Sequence, residues 1–173
     1  MNPLLPAPRA LAAFLAVSVT LVLQVSVCPH FAVQGVVPNL VLLVVVAAAL
    51  VHGSELGLVL GFGAGLLLDL APPADHVAGR WALALMVVGY VAGRLTNGPT
   101  RPLQRLGVAA AASFVGTSVF ALTGLLLRDP GVGVGELLKV EVIALAWDVG
   151  LALVVVPLVI GLFARVEPDR ALA

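Results

Sequence analysis

The sequence predicts an all-α membrane protein, a polytopic bundle of about six transmembrane helices, and three observations carry that prediction. The first is composition. Of 173 residues, 61% are hydrophobic and 10% charged, whereas soluble domains are about a quarter charged, so polar side chains are too few to cover a water-facing surface. Mean hydropathy is +1.16. The second is pattern, since long apolar runs alternate with clusters of Pro, Gly, Asn and charge. The third is length: at about 20 residues per span, six spans take roughly 120 residues and leave roughly 53 for termini and connections. No repeat or linker marks a second unit, so residues 1–173 read as one integral membrane domain.

The elements follow in order, at approximately 10–28, 37–52, 55–71, 80–96, 105–127 and 138–164. Prolines 3, 6 and 8 cannot sit inside a helix, so the first span starts near Arg9 and runs through Val27. Cys28-Pro29-His30 ends it, and Pro38, placed at a first turn, starts the second. That run is all aliphatic from Leu40 to Val51 and closes at His52-Gly53-Ser54. It is also short: residues 37–52 rise roughly 24 Å against roughly 30 Å of hydrocarbon, which suits a short, tilted or partly re-entrant segment. The third run lies between Glu55 and Asp69, about 21 Å apart along the axis, so both acids reach polar surroundings at its ends. A turn-forming stretch, 71–76, leads to the fourth, bracketed by Arg80 and Arg94 with Trp81 suited to the interfacial aromatic belt. Asn97-Gly98-Pro99 precedes the fifth, Leu106 to Leu127. Arg128-Asp129-Pro130-Gly131 ends it before a last helix from about Leu137 to Arg165.

Charge placement orients this bundle. With six spans, the termini and even-numbered loops carry Arg9, Arg94, Arg101, Arg105, Arg165 and Arg170, against Arg80, Arg128 and Lys139 on the other side. The positive-inside rule therefore places both termini in the cytoplasm. Nine Lys+Arg balance nine Asp+Glu with no basic stripe, which argues against nucleic acid as a partner. Cys28 is the single cysteine and cannot form an internal disulfide. A lipoprotein-signal reading of residues 9–28 is disfavoured by Val27, too large for that cleavage site. His30, His52 and His76 lack metal-ligand spacing, no G-x-S-x-G occurs, and Gly61-Phe62-Gly63-Ala64-Gly65 has no following Lys. No catalytic residue, metal or cofactor is expected, and the chain reads as a non-enzyme.

Two features stand out within the spans. Gly57, Gly61 and Gly65 recur every four residues, and Gly89 with Gly93 makes a similar groove on the fourth span, as Ser113 with Gly116 or Thr117 does on the fifth. In lipid, small-residue faces let helices approach closely, either inside this bundle or against a partner's helix. Asp148 lies in the apolar run Ile143 to Ile160, with Glu141 two turns earlier on nearly the same face. An intramembrane acid is a functional candidate by default. Structural pairing with an Arg or a carbonyl, a partner contact, and a polar cavity or proton path all remain open for this pair.

Read as one string, Val37-Pro38-Asn39-Leu40, then His52-Gly53, then Gly57 through Gly61-Phe62 and Gly65 to Leu68-Asp69, then Val88-Gly89-Tyr90 to Gly93 resembles the rod shape-determining MreD family over about residues 36–95. The second half is similar in hydropathy and length only. The resemblance implies a non-catalytic inner-membrane scaffold of the cell-elongation machinery, which binds MreC and supports lateral peptidoglycan synthesis and cell shape. RodA, a class B penicillin-binding transpeptidase and MreB filaments would be wider associates, and the fold would resemble substrate-binding subunits of energy-coupling-factor transporters. Pro38, Asn39, Gly61, Phe62, Gly65, Asp69, Gly89, Tyr90 and Gly93 are the family-like positions, with architectural or partner-contact roles. Asn39 stands where the family often has an acid. The rival is a vitamin-type transporter subunit. It would need an outer-face pocket with convergent polar and aromatic groups, and beyond six Phe the chain offers only Trp81, Trp147 and Tyr90.

Overall fold

The computed structural model describes residues 7–72, 77–95, 98, 100–127 and 133–166. Those residues are all helical in their regular structure: α1 (Ala7–Ser26), a 3₁₀ turn (Cys28–Phe31), α2 (Leu40–His52), α3 (Ser54–Leu70), α4 (Arg80–Arg94), α5 (Pro102–Leu126) and α6 (Val134–Val166). The turn residues 73–76, Thr96, Asn97 and Pro99, residues 128–132, and Arg170 lie outside the described residues. Two helices, Pro102–Leu126 and Gly135–Val166, are each long and apolar enough to cross a membrane, while Ala10–Ser26 and Leu40–His52 are shorter apolar helices.

α2 is the axis of the molecule. A helix that is apolar all round has no face to offer water and must be enclosed, and Val41 to Ala49 have no exposed surface at all. The other five helices α1, α3, α4, α5 and α6 all pack on it. Its 13 residues, about 20 Å long, are one uninterrupted helix. Pro38 is not in its first turn as the sequence suggested. Asn39 is the N-cap, accepting the Leu42 N–H at 2.9 Å on Oδ1, so the helix begins one residue after it.

The connections on either side of α2 are tight. Ahead of it, Val33 and Val36 exchange backbone hydrogen bonds of 3.1 and 2.9 Å around Gln34 and Gly35, at φ 52° and 83°. Positive φ at both central residues is the geometry of a type I′ turn. Behind it, Gly53 at φ 89° takes Ala49 as its N–H acceptor at 2.9 Å and accepts from the Gly57 N–H at 3.1 Å. One glycine thus ends α2 and opens α3, a reversal that a side chain at this φ would strain.

α5 begins at Pro102, earlier than the apolar run alone suggested, because Pro fits a first turn. α6 extends to Val134, and Pro157 lies inside it.

Candidate functional site

The first turn of a helix leaves N–H groups without a partner inside the helix, and this chain closes two such ends with buried side chains. Asp69, at the end of α3, finds its polar surroundings inside the protein rather than in solvent. It is 2% exposed and turns onto the start of α4. Its Oδ1 accepts the Trp81 N–H at 3.0 Å, and its Oδ2 accepts those of Gly79 and Ala82 at 2.8 and 3.1 Å. A carboxylate also suits the positive end of the helix dipole. The adjacent Arg80 is likewise inside, 7% exposed, rather than at a wet span end. Its Nη2 donates to the Phe120 carbonyl at 2.9 Å, and its guanidinium lies 4.0 Å from the Phe120 ring centroid. Trp81 stacks on the same ring at 4.4 Å, so the aromatic is inside the bundle as much as at an interface.

The second closure is at α2. Beside the Asn39 cap, Gln24 of α1 accepts the Val41 N–H on Oε1 at 3.0 Å, and Asp148 of α6 accepts the Asn39 N–H on Oδ1 at 2.8 Å. The other Asp148 oxygen takes the Ser113 hydroxyl of α5 at 2.7 Å. Asp148 is fully buried, and its partners are an amide and a hydroxyl rather than an Arg or a carbonyl. One carboxylate therefore ties α5, α6 and the α2 entrance together. Nearer the start of α6, Glu141 Oε1 meets the Thr117 hydroxyl at 2.7 Å, a second link between α5 and α6.

Above the α2 entrance lies a cavity of about 540 Å³. Gln24, Asn39, Asp148, Thr117 and Glu141 form its polar lining, with Arg80, Trp81 and Phe120 on one wall and the Gln34-Gly35 turn among the remaining residues. The structure thus brings Asn39, Glu141 and Asp148 to one place. The volume lies within the range of small-molecule sites, and its walls hold more polar groups than aromatic counting suggested. Among the described residues, no group of three or more His, Cys, Asp or Glu is placed to hold a metal ion.

The glycines are elsewhere, between α3 and α4. A Cβ at Gly57 would overlap the Gly89 carbonyl, one at Gly61 the Leu85 carbonyl, one at Gly65 the backbone of Trp81 and Ala82, and one at Gly93 that of Ser54. These two helices occupy each other's small-residue faces. Phe62 and Tyr90 are instead 48% and 41% exposed and point away from the core. Ser113 and Gly116 are buried as well, and a Cβ at Gly116 would meet Leu42 and Val88 side chains at 2.9 and 3.1 Å.

Sequence reasoning missed Gln24, Arg80 and Phe120 as site residues. For Gln24 the available signal was an amide inside an apolar run. For Phe120 there was none.

Residues 9–166 match the family described as rod shape-determining protein MreD. No curated protein and no solved structure matches the chain.

Proposed function

The chain belongs to the MreD family, and from that premise we propose that it is a non-catalytic scaffold of the cell-elongation machinery that binds MreC in the cytoplasmic membrane. Membership implies a role in rod shape determination and places the chain among membrane proteins rather than in a known enzyme family. The finer reading is a single domain of six spans with cytoplasmic termini, supporting lateral peptidoglycan synthesis alongside RodA, a class B penicillin-binding transpeptidase and MreB. The observation that carries it is the central burial of α2. A 13-residue helix too short to span alone is workable when longer helices enclose it, and shared burial likewise accommodates α3 and α4.

The partner surface follows from what the bundle leaves open. Since the Gly57, Gly61, Gly65, Gly89 and Gly93 face is filled internally, we place the MreC contact on the exposed family-like aromatics Phe62 and Tyr90. Co-purification of tagged protein with MreC from mild detergent tests the reading. Phe62→Ala with Tyr90→Ala should accumulate normally and recover several-fold less MreC. Loss of no MreC in that double variant would move the contact elsewhere, and failure to recover MreC with the unaltered protein would overturn the scaffold reading.

A second reading, a vitamin-type transporter substrate-binding subunit, is favoured by the cavity over α2. It requires ligand uptake that depends on this chain.

A further inference from the structure

One residue lining the cavity above α2 carries a hydrogen-bond donor without a partner. That residue is Asn39, 6% exposed. Because its Oδ1 is committed to the Leu42 N–H, the amide cannot turn over without uncapping α2. Its Nδ2 is buried with no hydrogen-bond partner. Buried amide hydrogens are nearly always satisfied, so this one needs an acceptor, a water or a ligand group.

Charge narrows the class of that acceptor. Two carboxylates, Glu141 and Asp148, and one guanidinium, Arg80, line the cavity, so the acids are in excess by one. Asp148 is fully buried, and each of its oxygens already holds one donor, the Asn39 N–H and the Ser113 hydroxyl. Arg80 already bonds the Phe120 carbonyl and covers its ring. Glu141 is half-buried and takes the Thr117 hydroxyl on Oε1. A carboxylate has about four acceptor sites, and so it keeps room for a further donor. A simple anion is disfavoured by the excess acid, whereas a donor-bearing cation is welcomed at Glu141. The remaining wall, the stacked Trp81 and Phe120 with Leu137 and Val140, is apolar.

We propose that this cavity binds a zwitterionic molecule with an apolar body, its primary ammonium against Glu141 and a neighbouring oxyanion receiving the Asn39 amide hydrogens. The phosphoethanolamine head of a phospholipid and a free α-amino acid with an apolar side chain share that pair of groups. The inference goes beyond shape determination and does not depend on MreC.

The test uses the full chain in mild detergent. Native mass spectrometry follows binding of phosphoethanolamine, phosphocholine and phosphoglycerol lipids of equal acyl length, and equilibrium dialysis follows free phenylalanine. Phosphocholine has no N–H donor and phosphoglycerol no cation. The phosphoethanolamine lipid should bind at least tenfold more tightly than either, or phenylalanine should bind saturably. The first outcome assigns a membrane source and the second a soluble one. Glu141→Gln keeps an oxygen for Thr117 but removes the charge, and should abolish the phosphoethanolamine preference or the phenylalanine binding. Ala121→Trp, which fills the cavity from α5, should abolish binding altogether in a protein that still elutes as a single species. Equal binding of all three lipid heads with no phenylalanine binding, binding of no probe, or full retention of binding in both variants would overturn the proposal.

Discussion

Asp148 is the residue whose removal is most informative. Asp148→Ala deletes the acceptor of two hydrogen bonds, 2.8 Å from the Asn39 N–H and 2.7 Å from the Ser113 hydroxyl, at a fully buried position. A buried donor left unsatisfied costs about 1–3 kcal/mol. Interhelical hydrogen bonds in membrane proteins average only about 0.6 kcal/mol and reach about 1.7, because the unfolded chain in lipid finds other partners. Two such bonds then amount to about 1–3 kcal/mol. Asp148→Asn keeps an oxygen for the Asn39 amide, and its NH₂ can donate to the Ser113 oxygen, so its cost should be about 1 kcal/mol. The assay is reversible unfolding in mixed detergent micelles, followed by circular dichroism. Combining Asp148→Ala with Ser113→Ala should cost little more than Asp148→Ala alone, since the two share one bond. If Asp148→Asn were as damaging as Asp148→Ala, the residue would act through its charge and the capping argument would fail. An Asp148→Ala protein as stable as the original would dismiss the role altogether.

Two further outcomes follow from the same geometry. Gly61→Ala should lower the amount of protein in the membrane and Gly61→Leu or Gly65→Leu more so, because backbone atoms of α4 occupy the space of the added Cβ. Gly63→Ala, with nothing within 4 Å, should be neutral or gain up to about 1 kcal/mol from helix propensity; quantitative blotting of membranes distinguishes the two glycine classes, and equal loss at both would refute close α3–α4 contact. Asp69→Ala should cost about 2 kcal/mol, the upper end for a lost N-cap, and should speed amide exchange at Gly79, Trp81 and Ala82 before it does so in α2. Uniform acceleration would mean that Asp69 does not act at the α4 start.

Much of the architecture was legible because hydropathy and four-residue glycine spacing are local signals. The glycine face is a case in point: its spacing in α3 and α4 is visible in the string, and close packing follows from the missing Cβ atoms. What such a face packs against is not local, and only the fold pairs Gly57 with Gly89. Likewise Pro38 suggested a helix that starts on it, and the hydrogen bond from the Leu42 N–H to Asn39 places the start after Asn39 instead.

The sequence by itself determined the solvent and the family. Too little charge for water and too many apolar runs for a soluble core require a bilayer, and the order Pro-Asn, Gly-Phe, Leu-Asp, Gly-Tyr marks MreD. Only tertiary structure decided what the buried acids do and where the short second helix lies. Asp148 and the Asn39 amide are 109 positions apart, and Asp69 reaches 10 to 13 positions ahead, so neither pairing leaves a periodic trace. The physical reason is shared: a buried helix entrance must find its acceptors somewhere, and which distant side chain supplies them depends on how the helices are stacked.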